Sequence, residues 1–374
     1  MRKRRFGLFI VMLLGIVLIG AIPRSVHLHT LYAASNENAI TSEELHEVLT
    51  TAMANRTDQF QFTYIGKVKV LKATLQEAIE KAMRSDSYIQ YTLKSYAYHY
   101  KGTNASAEVN IEFKFRESLE QTAYVNSRVD QILADIIKPG MNDHEKVEAI
   151  HNYVVLNLAY DETMQKYTAY DGLSTGSTVC QGYSLLTYRM LTEAGITNRI
   201  IEGHAGGQLH AWNLLLLDGV WYHMDTTWDD PTPDQPGKVS YNYYLLTDEE
   251  MGQDHTWEEQ YPAAATPYRE AIHVLMQKND DKYAAYKRLY ETLNYGLYNE
   301  DEIIQTSAEL RERVQSKMNE EANFVIFRYD GEENELFQAL KELYSLGIRS
   351  ISYYVSDFED TGDLKVKVNW KLVR

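Results

Sequence analysis

One cysteine stands among 374 residues. A lone thiol excludes an intramolecular disulfide, so it is an inert core group, a site for pairing between molecules, or a reactive nucleophile. Basic residues are also in short supply, 37 Lys and Arg against 53 Asp and Glu, for a formal charge of −16. That balance disfavours nucleic acid and anionic membrane surfaces as partners and is compatible with basic ones. No zinc-ligand spacing and no phosphate-cradling glycine loop occurs. The acidic run Asp225, Asp229, Asp230 and Asp234 is rich in oxygen but matches no calcium-loop spacing, so neither a metal nor a cofactor is expected. No periodic tandem array is present either.

What is there begins with a basic cluster, Arg2-Lys3-Arg4-Arg5, followed by an apolar and glycine run from Phe6 to Ile22. This is the pattern of a secretory signal, and residues 1–34 are expected to be a signal peptide or an N-terminal anchor. The chain would then be secreted or held on the outer face of a membrane. Residues 35–118 follow the order helix, strand, helix, strand, strand. The alternating pair at 95–100 and 107–115 meets across Gly102-Thr103-Asn104. Residues 263–374 open with a helical linker and then repeat that order, ending in strands at 351–355 and 364–373. The two flanks read as copies of one small α/β module; chance agreement is the alternative.

Between them, residues 119–262 carry the chemistry. A helix over 118–138 stops at Pro139-Gly140, and a second starts at Asn142 with Glu145 at capping-box spacing. The Gly-, Ser- and Thr-rich stretch 172–179 reads as a loop, and a helical pattern starts at Cys180. Cys180 thus sits at a helix N-terminus, where open N–H groups and the dipole favour a thiolate and can steady an oxyanion. Downstream, Asp218-Gly219 separates two strand-like runs, a hairpin signal. A two-residue turn there pairs Leu217 with Val220 and sets His210 and Asp225 as diagonal neighbours on one face. A thiol at a helix start with a histidine and a carboxylate is the grouping of a Cys-His-Asp triad. His204 and His223 are rival bases.

The segments "TAYDGLSTGSTVCQGYS", "HAWNLLLLDGVWYHMDTTWDDP" and "YNYYLLTDEEMGQDHTW" resemble the core of the transglutaminase-like superfamily in its compact bacterial extracellular form. The resemblance runs from about residue 143 to 257 and implies an α+β fold with a papain-like core. It implies Cys180 as nucleophile, His210 as base and Asp225 as orienting acid. Tyr170, Gln181 and Trp212 are the expected oxyanion or substrate contacts. The shared chemistry is attack on a carboxamide carbonyl of a protein or peptide substrate, at the cell surface or wall, to give a thioester. An amine acceptor makes the enzyme a transglutaminase, and water makes it a deamidase or protease. A module that keeps the fold without turnover is the third reading. The tyrosines at 96–100 and 241–244 offer a carbohydrate or peptide surface, or else half-buried packing.

Overall fold

The structure is a computed structural model and describes residues 39–372 except 232, 234, 236, 279 and 280. The expected export segment and Asp234 lie outside the described residues. The chain is mixed α+β.

The N-terminal part comprises β1 (Ala39–Ile40), α1 (Leu45–Ala54), β2 (Gln59–Ile65), α2 (Leu71–Arg84), α3 (Ser87–Thr92), β3 (Leu93–Gly102) and β4 (Ser106–Phe115). Its sheet runs β1-β2-β4-β3. Alternation in β2 and β4 puts Phe60, Phe62, Tyr64, Val109, Ile111 and Phe113 on one buried face against α1 and α2. Tyr96, Tyr98 and Tyr100 of β3 are half-buried against the same core, the packing alternative for these tyrosines.

The middle part comprises α4 (Leu119–Ile136), α5 (Asp143–Asn157), β5 (Ala159–Tyr160), α6 (Ala169–Thr175), β6 (Ser177–Thr178), α7 (Cys180–Glu193), β7 (Asn198–Ala205), β8 (Gln208–Leu217), β9 (Val220–Met224), β10 (Tyr244–Leu246), α8 (Asp248–Met251), β11 (His255–Thr256), α9 (Tyr268–Gln277) and α10 (Tyr283–Thr292). Ser118 with Gln121 and Asn142 with Glu145 form reciprocal capping boxes that fix where α4 and α5 begin. The main sheet runs β10-β9-β8-β7-β11, and α7 packs on β8 and β7. The segment expected as a linker does more than connect. Tyr268, Ile272, Leu275, Tyr286 and Leu289 of α9 and α10 are buried in the same core as α4, α5 and α7.

The C-terminal part comprises α11 (Ser307–Asn319), β12 (Phe324–Tyr329), α12 (Glu333–Glu342), β13 (Ile348–Asp357) and β14 (Leu364–Leu372), with sheet order β12-β14-β13. Its strands close a separate core with Leu310, Val314, Leu336 and Leu340.

Candidate active site

The position of Cys180, the expected nucleophile, is built by three short elements. The stretch before Cys180 is not the open loop its composition suggests. Thr168 and Asp171 form a capping box that starts α6, Gly176 ends it at φ 71°, and Ser177–Thr178 pair in parallel with Ala159–Tyr160. Small polar residues serve there as caps and as a tight strand (their preference for loops is only a tendency). Val179 then turns the chain into α7. A Cβ on Gly182 would lie 1.9 Å from Thr178 Oγ1 and 2.8 Å from the Thr168 carbonyl, so only glycine lets α7 seat this closely. The N–H groups of Cys180 and Gln181 have no acceptor among the described residues, while Gly182 N–H donates back to Val179.

His210 and Asp225, the expected base and acid, come from the hairpin. Asp218 and Gly219 both take positive φ, 49° and 82°, and the ladder runs Leu217–Val220, Leu216–Trp221, Leu215–Tyr222, Leu214–His223 and Asn213–Met224. That register is the one the turn specifies. Just past the ladder, His210 Nε2 meets Asp225 Oδ2 at 2.6 Å. Two cross-bonds lock the helix of the thiol to the strand of the base: Ser184 Oγ donates to Ala211 O at 2.7 Å and Asn213 Nδ2 to Ser184 O at 3.1 Å. Cys180, half-buried, hydrogen-bonds His210. Because Nε2 is committed to Asp225, Nδ1 is the nitrogen left for the thiol.

The electrostatics favour a charged imidazole. Burial works against the His210 proton, but the charge and hydrogen bond of Asp225, followed by Cys180, outweigh it and raise His210 to about 10. Burial also opposes charge on Asp225. The pull of His210, and then of His255, holds that carboxyl well below the usual range. Its second oxygen accepts from Thr227 N at 2.9 Å and Trp228 N at 3.2 Å.

The rival bases are placed elsewhere. His223 is engaged on both ring nitrogens, by Trp212 Nε1 at 2.9 Å and by Asp248 at 2.9 Å. His204 is exposed on β7. Three expected contacts also differ in position. Trp212 is 1% exposed and stacks on His210 at 5.9 Å, so it walls the base and cannot touch substrate. The Gln181 amide donates to Tyr91 O at 2.6 Å, tying α7 to the N-terminal part. Tyr170 packs edge-on against Tyr124, and no contact with Cys180 is among its described interactions. Tyr160 is the tyrosine that feels the thiol: burial, then the charge of Cys180, pushes its hydroxyl up. Trp228, half-buried, lies 6.0 Å from the His210 ring and is more open than Trp212.

The sequence reading missed His255. Its Nε2 lies 3.2 Å from the same Asp225 oxygen that His210 binds, and its Nδ1 lies 2.5 Å from Asp254 Oδ1. It reaches the site because β11 lies flush on β7, where a Cβ on Gly203 would come within 2.1 Å of Thr256 O. That glycine, and the "DH" of the third segment, were the available signals. His210, Asp225 and His255 have donor atoms within 4.8 Å of one another, close enough to suggest a metal group. A contact of 2.6 Å is a hydrogen bond, however, and is tighter than the roughly 3.3 Å between ligands that share one tetrahedral zinc. The acidic run is likewise dispersed: Asp229 pairs with His151 at 2.9 Å and Asp230 accepts from Tyr183.

A family model of the transglutaminase-like superfamily matches residues 130–226, which contain the helix of the thiol, the base and the acid. The chain carries a transglutaminase-like core. Two curated relatives are both named kyphoscoliosis peptidase. That of Mus musculus is 26% identical over 162 residues, 37% of this chain and 24% of the relative. That of Homo sapiens is 29% identical over 143 residues, 32% and 22% of the two chains. The chain therefore spans about a quarter of the length of either relative. A solved structure described as a TGase is 13% identical, with 48% of this chain and 54% of that chain covered and a TM-score of 0.28. Outside the transglutaminase-like core, the family model does not reach the two flanking modules.

Proposed function

We propose that the protein is a thiol acyltransferase of transglutaminase type acting on a glutamine or peptide carboxamide. The observation that carries this reading is the contact series from Cys180 through His210 to Asp225, in which the carboxylate and the thiol raise the imidazole well above its ordinary value. The Cys180 sulfur attacks the carbonyl carbon and a C–S bond forms. The oxyanion is met by the N–H groups of Cys180 and Gln181. The C–N bond breaks as His210 gives its proton to the leaving amine, leaving a thioester. An incoming amine or water then loses a proton to His210 and expels the sulfur. Asp225 holds the ring in the tautomer that both steps need.

The acidic chain favours a lysine-bearing acceptor, which supports amine capture. Hydrolysis is the second reading, supported by relatives named peptidases. We place the reaction outside the cytoplasm, on a protein or peptide partner at the cell surface, on the strength of the N-terminal pattern. We also take the flanking modules as copies of one unit, because β2-β4-β3 and β12-β14-β13 share one strand order.

The test is a glutamine-bearing peptide incubated with a fluorescent primary amine. Amine incorporation that is lost in Cys180→Ala, and lowered about a thousandfold in His210→Ala, is the expected result. Ammonia release or new peptide ends without incorporation would select the hydrolase. An inert thiol, alkylated equally fast in wild type and His210→Ala, would sink both readings.

A further inference from the structure

The Asp225 carboxylate serves two imidazoles, and the proposed chemistry uses only one of them. His255 is 1% exposed and lies between two carboxylate oxygens, Asp225 Oδ2 at 3.2 Å and Asp254 Oδ1 at 2.5 Å. A neutral imidazole has one N–H and can satisfy one acceptor. Both carboxylates here are in accepting roles. Asp225 also takes Thr227 N, Trp228 N and His210 Nε2, and Asp254 takes the Tyr243 hydroxyl at 2.6 Å on its other oxygen. A proton on each ring nitrogen of His255 satisfies both carboxylates.

We infer that His255, with Asp254 behind it, is a positioning residue that clamps Asp225 at the same carboxylate oxygen that His210 uses and offsets its charge, so setting how firmly His210 holds its proton. The inference rests on the proposed thiol chemistry. No contact of His255 with the thiol is among the described contacts; it acts through Asp225. The clamp is rigidly housed. Trp212, Trp228 and Tyr243 surround the ring at 5.1, 4.7 and 5.4 Å, and the His210 ring is 5.6 Å away. The charged or titratable groups facing it are Asp225 and His210 from the hairpin side, Asp254 and Tyr243 behind, and His223 across Trp212. On β7, His204 pairs with Thr256 and is exposed.

A clamp that were only structural would change stability and leave the proton equilibrium of His210 alone. A charge-offsetting clamp moves it. Removing the His255 cation leaves Asp225 and Asp254 acting on His210, so the imidazolium persists to higher pH. At a ring separation of this order the shift is about one pH unit or more.

The experiment is iodoacetamide labelling of Cys180 against pH in the full chain, for which the single cysteine needs no site assignment. The alkaline inflection that disappears in His210→Ala marks the release of the His210 proton. In His255→Gln, which keeps an amide donor for Asp225 but no charge, that inflection is to move up by about one unit. In the double variant His255→Gln/Asp254→Asn it is to return part of the way. If His255→Gln leaves the inflection in place, the inference is overturned while the thiol chemistry stands. If wild type and His210→Ala already share one profile, the proposed function itself has failed. Should His255→Gln not fold, ¹⁵N-histidine labelling of the wild type decides. The ring in contact with Tyr243 is to show two N–H groups, and a single N–H overturns the proposal.

Discussion

The two flanking modules share a strand order and differ in how they hold the centre. The N-terminal one is fused to the helix that bears the thiol. Tyr88 of α3 is fully buried in the central core, with the Arg189 guanidinium of α7 4.4 Å above its ring. Its hydroxyl donates to Glu117, itself fully buried, which also accepts from Thr122 and faces Arg56. Tyr188 reaches Asp86, and Gln181 reaches the Tyr91 carbonyl. The C-terminal module attaches by aromatic contact instead. Tyr298 lies 5.1 Å from Phe358, donates to Glu359 and carries the Arg269 guanidinium at 4.5 Å. Beside that contact is a cavity of about 320 Å³ lined by Tyr241, Tyr244, Tyr295 and Lys365, among others. One module is thus placed to influence the nucleophile directly, and the other is placed beside an opening.

The largest effect expected from breaking this comparison is at Glu117. Glu117→Ala leaves the Tyr88 hydroxyl buried without its acceptor and removes the negative charge facing the buried Arg56, at a cost of about 3–5 kcal/mol. Urea unfolding should report that loss, and because α3 packs on α7, Cys180 labelling should change with it. Next comes Phe358→Ala, which removes a 4% exposed ring from the C-terminal contact. A loss of about 3 kcal/mol is expected, confined to the C-terminal module and visible as an earlier unfolding step. Cys180 labelling in the folded state should stay within about twofold of wild type; a larger change would erase the contrast between the modules. The smallest effect is Gln181→Ala, which deletes one hydrogen bond between module and helix. About 1 kcal/mol and a few-fold change in labelling are expected. No change in either would show that the N-terminal module is joined to α7 without acting on it.

What the residues disclosed in advance, and what they did not, divides by distance along the chain. The hairpin register followed from Asp218-Gly219 and strict alternation, both local, and it put His210 and Asp225 together without further information. The start of α7 was legible for the same reason. His255 was not, because β11 is two residues long and its placement depends on a close approach at Gly203, some fifty positions earlier in the chain. The packing of α9 and α10 into the central core is a similar long-range fact. Tyr170, ten residues before Cys180, was expected from the family resemblance. Tyr160, ten positions before it, is carried toward the thiol by the parallel pairing of β5 with β6, which no local pattern announces.

The solitary sulfur also limits how the site can recover from damage. A thiolate oxidised to sulfenic acid is ordinarily rescued when a neighbouring cysteine condenses with it and is then reduced away. This chain has no second cysteine to do so. From that state it goes forward by a bond to another molecule's thiol, by condensing with a backbone nitrogen, or by further, irreversible oxidation. Repair of this site, unlike its assembly, depends on its surroundings.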